Sequence, residues 1–257
     1  MNSMMLWFHK MGSPPYFYAF AQRWKPWFLY LSLLGFMLGL YFGFKAPADY
    51  LQGESYRIIF IHVPSAWMGQ FIFAVMALSG LIALVWHIKI AEMMAMASAP
   101  IGATFTAIAL LTGSLWGRPT WGTYWVWDAR LTSTLILFFL YLGVMGLFRA
   151  IEEPRKAARA ASLLSLLGVI NLPIIHYSVK WWNTLHQGPS LSVLKMQSSI
   201  DSKMLWPLLI MALATKFYYA YSVLARAQVM LLTQERGKAW VQSLIHKNDG
   251  KSNAVNS

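Results

Sequence analysis

Six long apolar stretches, Trp27 to Phe44, Val63 to Trp86, Ala99 to Leu115, Leu131 to Phe148, Ser162 to Tyr177 and Leu205 to Leu224, alternate with more polar connections along the chain. Each lies near the ~20 residues that a helix rising about 1.5 Å per residue needs to cross a hydrocarbon core of roughly 30 Å. The pattern predicts six transmembrane helices, the fifth being the shortest. An even number of spans puts both termini on one side, with the connections 45–61, 116–130 and 178–204 on the other. The first stretch exceeds the apolar core of a cleavable signal peptide, follows 26 residues rather than a short basic leader, and precedes no A-x-A-like site. It is expected to remain as an anchor.

Composition agrees with this reading: 58% of the 257 positions are hydrophobic and 12% charged, where a soluble domain carries about a quarter charged. The fold class expected is therefore an all-α integral membrane protein. Its sequence divides into a single six-helix membrane domain, residues 1–236, and a short polar tail, residues 237–257, ending in NDGKSNAVNS.

The distribution of Lys and Arg orients the helices. Thirteen fall on the side of the termini: Lys10, Arg23, Lys25, Lys89, Arg149, Arg155, Lys156, Arg159, Arg226, Arg236, Lys238, Lys247 and Lys251. Seven fall opposite: Lys45, Arg57, Arg118, Arg130, Lys180, Lys195 and Lys203. The excess predicts cytoplasmic termini. It also accounts for most of the net charge of +12 without nucleic acid, for which the chain has no binding signature. Lys216, about midway along the sixth span, is expected to face other helices or a wet cavity, unless the helix is displaced by a turn. Walker A, G-x-G-x-x-G and H-E-x-x-H patterns are all lacking, so nucleotide hydrolysis and zinc proteolysis have no apparatus here.

Cysteine is absent, which excludes disulfides, thiolate metal sites and the C-x-x-C-H attachment of c-type haem. Histidine is then the natural metal ligand, with methionine behind it. His9, His87 and His246 lie with the cytoplasmic segments, whereas His62, His176 and His186 fall near the outer ends of spans or in outer loops. Two such imidazoles from distant parts of the chain can approach one plane from opposite faces, as six-coordinate haem iron requires.

The stretch WGRPTWGTYWVWDAR, Trp116 to Arg130, holds four of the thirteen tryptophans, with Gly117, Pro119 and Gly122 arguing against a regular helix. Trp116, Trp121, Trp125 and Trp127 could form a membrane-interface belt, but a belt needs only one or two rings per helix end. A loop this rich in indoles also suits stacking against a flat, apolar macrocycle, with Arg or Lys on its carboxylates. Asp128 can cap the fourth helix or pair with Arg130.

WGTYWVWDARLTS resembles the tryptophan-rich "WWD" signature of haem-handling membrane proteins. With APADYLQGESYRIIFIHVP, GSLWGRPTWG and NLPIIHYSVKWWNTLHQG, the likeness narrows to the haem exporter protein C family (CcmC) of the bacterial cytochrome c maturation system, over about Gly43 to Ile200. The resemblance implies His62 and His186 as axial ligands of a non-covalent haem b at the periplasmic face. It implies a haem-holding surface of Trp116, Trp121, Trp125 and Trp127 with Arg118, Asp128 and Arg130. Arg57 and Arg118 are candidate propionate partners or headgroup anchors, and His176 is a lesser ligand candidate or a histidine bonded to backbone freed by Pro173.

Also implied are residence in the bacterial inner membrane and three kinds of partner: a periplasmic haem chaperone (CcmE type), a single-span accessory protein (CcmD type) and ABC transporter subunits (CcmA and CcmB type). The expected role is to present haem to the chaperone without substrate turnover. The alternative is a membrane haem-dependent oxidoreductase with a permanent bis-histidine haem. It is disfavoured because His62 and His186 lie at span ends rather than deep in two helices.

Overall fold

The computed structural model describes residues 12–182, 184–186, 191–192, 197–198 and 200–246. Its helices are α1 (Pro14–Lys45), α2 (Ile59–Trp86), α3 (Lys89–Trp121), α4 (Ala129–Ala150), α5 (Pro154–Gly168), α6 (Asn171–Trp181) and α7 (Ser202–Gln234). A 3-10 helix (Glu54–Ile58) leads directly into α2. Six helical segments among the described residues are long and apolar enough to cross a membrane, α5 and α6 together supplying the fifth as Pro154–Trp181. One departure from an all-α chain is a pair of two-residue antiparallel strands, β1 (Leu191–Ser192) and β2 (Gln197–Ser198), in the connection before α7.

Small residues let the outer helices dock. Gly35, Gly39 and Gly43 recur every fourth residue on one face of α1. A Cβ at Gly35 would lie 2.8 Å from Ala214 Cβ, and one at Gly39 would lie 2.6 Å from Met211 Sδ, so α1 lies backbone-close against α7. Lipid gives helices no hydrophobic reason to associate, and close van der Waals approach through small residues supplies the attraction instead. Below this seam, Lys25 Nζ donates to Gln228 Oε1 (2.8 Å) and Gln228 Nε2 donates to Gln22 Oε1 (2.9 Å).

Tyr141 of α4 organises the centre of the bundle. It is fully buried (0% exposed), its ring meets Phe73 edge-on at 5.1 Å, and its hydroxyl donates to the Gly69 carbonyl of α2 at 2.7 Å. The ring occupies the space left by Gly102 of α3, where a Cβ would lie 2.1 Å from Tyr141 Cζ. One side chain thus fixes the spacing of α2, α3 and α4.

The fifth span is broken, but not at the proline. Pro173 is the third residue of α6, where a backbone N–H has no intrahelical partner to lose. The break falls at Val169 and Ile170, just after Gly168, whose Cα approaches Phe73 so closely that a Cβ would meet Phe73 Cζ at 2.6 Å. Asn171 Nδ2 then ties α6 to α4 through the Ser133 carbonyl (2.8 Å).

The tryptophan-rich stretch also differs from expectation. α3 continues through Gly117 and Pro119 to Trp121, so Trp116, Arg118 and Trp121 stand on its last turns. A proline so near a helix end removes one hydrogen bond where few follow. The helix stops instead at Gly122, whose φ of 81° is left-handed and whose N–H closes on Arg118 O at 3.1 Å.

Lys216 is exposed on α7 and faces another helix: its ammonium sits 4.2 Å from the centre of the Phe71 ring of α2. A cation over an aromatic face recovers part of the solvation lost in an apolar setting. Beyond α7, residues 239–246 are helical; Val241 is buried and Trp240 packs edge-on against Tyr18 at 5.8 Å. There burial raises the pKa of Glu235, but hydrogen bonds from the Lys89 ammonium and the Trp240 indole more than offset it and hold the carboxyl below its usual value.

The Tyr141 contact yields a prediction. Gly102→Ala forces the ring out of its site and destabilises the protein by about 1–3 kcal/mol, the usual cost of overpacking. Gly146→Ala, whose added Cβ meets nothing within 4 Å, does not lower the unfolding midpoint in detergent. Equal midpoints for the two variants would refute the central role given to Tyr141.

Candidate functional site

A cavity of about 300 Å³ opens between α2, α3, α4 and α6 at the end of the bundle that carries the tryptophan-rich segment. Its volume is at the lower edge of the roughly 300–1,000 Å³ usual for small-molecule sites. His62, Trp116, Trp121, Trp125, Arg130 and His186 all line it. The cavity reaches down α3 to Thr106, ten residues below Trp116, which at 1.5 Å per residue is about 15 Å.

His62 is fixed by its neighbours. Thr112 Oγ1 lies 3.1 Å from His62 Nδ1 and itself donates to the Ile108 carbonyl at 2.6 Å. With its hydrogen committed, Thr112 must accept from His62 Nδ1–H. That leaves Nε2 with a lone pair, the arrangement by which a metal-binding histidine is usually oriented. Gly113 provides room for the ring, since a Cβ there would lie 2.8 Å from His62 Cε1. Trp116 holds the other side edge-on at 5.6 Å and is itself anchored by donating from Nε1 to Gln52 Oε1 at 2.7 Å.

His186 is held more loosely. Its ring lies 4.9 Å from that of Trp121, and its Nδ1 is 3.7 Å from Asp128 Oδ2, too far for a hydrogen bond. Burial depresses the His186 pKa; Arg130 adds to the depression and Asp128 opposes it. The imidazole is therefore neutral, as a metal ligand must be.

Asp128 caps α4, accepting from the Leu131 N–H at 2.8 Å, which realises the capping alternative. Arg130 reaches Ile175 O through Nη2 at 3.4 Å. Four buried polar atoms around the cavity have no partner: Trp125 Nε1, Asp128 Oδ2, Arg130 Nε and His186 Nδ1. Each such atom costs about 1–3 kcal/mol if nothing satisfies it. Together they give the cavity a polar rim.

Other expected residues fall elsewhere. Arg118 turns back onto its own helix end, donating to Gly122 O, with its guanidinium over Tyr124 at 5.7 Å, and it does not line the cavity. Arg57 closes the end of α1 by donating to the carbonyls of Gly43 (2.8 Å) and Phe44 (2.9 Å) and pairs with Glu54. Trp127 lies outside the cavity, 77% exposed, edge-on to Trp125 at 5.4 Å. His176 is exposed at the cavity edge and packs on Tyr177 at 4.7 Å; with Pro173 in the first turn of α6 there is no freed carbonyl for it to bond.

Gln52, Tyr56, Thr112 and Gly113 join the site without having been singled out in the sequence. Gly113 begins the GSLWGRPTWG segment, and Gln52 and Tyr56 lie in APADYLQGESYRIIFIHVP, so the signal for them was proximity to those motifs.

Fold and cavity together define a multi-span helical membrane protein with an imidazole- and indole-lined chamber at one end of its bundle. The family model of Heme exporter protein C (CcmC) matches residues 7–242. The chain is 49% identical over 244 residues to Heme exporter protein C of Escherichia coli K12, covering 95% of this chain and 98% of that one. It is 54% identical over 205 residues to Heme exporter protein C of Bradyrhizobium diazoefficiens, covering 79% and 77%. A putative cytochrome c biosynthesis ccmC-like mitochondrial protein of Marchantia polymorpha is 45% identical over 188 residues, covering 72% and 78%. The chain belongs to the heme exporter protein C family.

The capping role of Asp128 can be isolated. Asp128→Ala costs about 0.5–2 kcal/mol, as for other helix caps, while Asp128→Asn keeps the acceptor and most of the stability. Unfolding midpoints of the two variants decide the point, and equal losses would assign the effect to charge rather than to capping.

Proposed function

We propose that this protein binds haem b non-covalently in the cavity and presents it for export in c-type cytochrome biogenesis, consistent with the names of its relatives. The observation that carries this reading is the convergence of His62 and His186, 124 positions apart in sequence, on one indole-lined cavity. His62 Nε2 and the His186 imidazole would hold the iron, with the Trp121 and Trp125 rings against the macrocycle. Arg130 Nε and Trp125 Nε1 are unpaired donors suited to carboxylates. Arg118 and Trp127 take lesser roles, bracing the segment and forming its exposed rim.

Haem here is cargo, not a centre for turnover. Its face at this end of the bundle, beside the exposed Trp127 ring, would meet a periplasmic haem chaperone of the CcmE type. CcmD-type and CcmA and CcmB-type proteins would complete the assembly in the bacterial inner membrane, with this chain's termini cytoplasmic.

The test is an absorption spectrum of the detergent-purified protein. Thr112→Val, which removes the acceptor behind His62, weakens haem retention by about 10-fold to 100-fold. His62→Ala and His186→Ala lose more, together with the low-spin bis-imidazole spectrum, whereas His246→Ala changes neither. An unaltered spectrum in both cavity variants rejects this ligand pair.

Orientation is tested separately, and the lack of any native cysteine makes it direct. Tyr50→Cys, at a site 90% exposed on the cavity side, reacts with a membrane-impermeant maleimide in intact spheroplasts, whereas Gly237→Cys reacts only after permeabilisation. Labelling of both from outside would overturn the common placement of the termini.

A further inference from the structure

At the end of the bundle opposite the tryptophan-rich segment lies a second cleft of about 550 Å³, between the end of α2 and the starts of α3 and α5. Its floor is apolar, with Ala83, Leu84, Met93 and Met96. Its rim is charged, with Lys89, Arg155 and Arg159 facing Glu92. Lys89 is engaged by Glu235 at 3.0 Å, and Glu153 at the cleft edge is engaged by Lys156 at 2.7 Å. Arg155 and Arg159 are exposed and have neither a hydrogen bond nor an ion pair among the described residues, and Glu92 has no ion pair there.

Two helix N-termini meet the same cleft without side-chain caps. α3 follows Ile88, which has no side chain able to cap, and α5 follows Glu153, whose carboxylate makes no capping bond. Their first-turn N–H groups add positive partial charge and open donors to the guanidinium groups. The turn that brings α3 beside α2 runs through His87 at φ 55°, a left-handed conformation uncommon outside glycine.

We propose that this cleft binds the phosphodiester of an anionic membrane lipid, Arg155 and Arg159 holding the phosphate and the Ala83, Leu84, Met93 and Met96 floor taking the start of an acyl chain. The apolar floor favours a lipid over a soluble phosphate, which would leave that surface uncovered. Glu92 limits the charge: two free guanidinium groups against one carboxylate match a headgroup of one net negative charge. Basic pockets between transmembrane helices bind lipid headgroups by the same physics.

Native mass spectrometry of the purified full-length protein, incubated with equal amounts of phosphatidylglycerol and phosphatidylcholine, reads the retained lipid. The wild type keeps phosphatidylglycerol in preference, and the double substitution Arg155→Gln/Arg159→Gln lowers its retention by roughly 30-fold. Glu92→Gln removes the opposing charge and raises retention by roughly fivefold, a gain that misfolding could not produce. Arg236→Gln/Lys238→Gln, the same charge change outside the cleft, leaves retention as in the wild type. Equal retention of the two lipids, a loss in Glu92→Gln, or an equal loss in Arg236→Gln/Lys238→Gln overturns the proposal. So does retention of added pyrophosphate with no preference between lipids, which would assign the site to a soluble anion.

Discussion

The hydroxyl of Tyr141 donating to the Gly69 carbonyl is the contact on which the geometry of this bundle depends. A phenol in the interior of a membrane protein has no water to turn to, so its partner must be protein and its position is correspondingly narrow. Gly102 supplies the space and Phe73 the edge-on ring, which ties α2, α3 and α4 together below the cavity. Higher up, Gly113 brings α3 close enough to α2 for Thr112 to reach His62. The cavity lies above that contact, between these helices and α6, which is short and separately anchored by Asn171.

How much of this could be read from the chain depended on the scale of the signal. Six spans were legible because about 20 apolar residues in a row have few other uses, and the helices lie on the expected stretches. His62, His186 and the tryptophans carried their chemistry openly in residue type and motif, and the cavity brings together all of them but Trp127. Helix ends were less legible. α3 runs to Trp121 because the hydrogen bond lost at Pro119 leaves only two residues of helix beyond it, whereas Pro173 in the first turn of α6 has no intrahelical bond to lose. The arginines were less legible still: Arg57 and Arg118 satisfy carbonyls at helix ends, a demand created by the fold and invisible in a motif. The Gly35, Gly39, Gly43 spacing was present in the sequence, and the fold gives it partners, α7 at Gly35 and Gly39 and Phe60 of α2 at Gly43.

The indoles divide according to what carries them. Trp116 and Trp121 ride on α3 and meet His62 and His186 respectively, so one helix sets the placement of both imidazoles. Trp125 and Trp127 follow Gly122 in the connection to α4, where Ser114 Oγ donates to Tyr124 O at 2.8 Å and pins the segment back to α3. Rigid rings therefore face inward, and the exposed one lies on the part of the segment farthest from helical support. On the proposed reading, that division suits a surface that both holds a ligand and is met by another molecule.

The two imidazoles are not equivalent, and on the proposed reading the difference has a direction. His62 has its Nδ1 hydrogen committed to Thr112, its ring pressed by Trp116 and its far side against Gly113, so rotating it away breaks a hydrogen bond and opens a void. His186 has a ring contact with Trp121 and a carboxylate at 3.7 Å that does not yet bond it. A ligand held by both would be fixed on the His62 side and adjustable on the His186 side, because only the second imidazole can move without losing a partner. Asp128 couples that adjustability to the fold: the carboxylate that faces His186 through Oδ2 caps α4 through Oδ1. Closing the gap between Asp128 and His186 would satisfy two of the four orphaned atoms at once, so ordering of the loose histidine would leave only Arg130 Nε and Trp125 Nε1 open to the ligand.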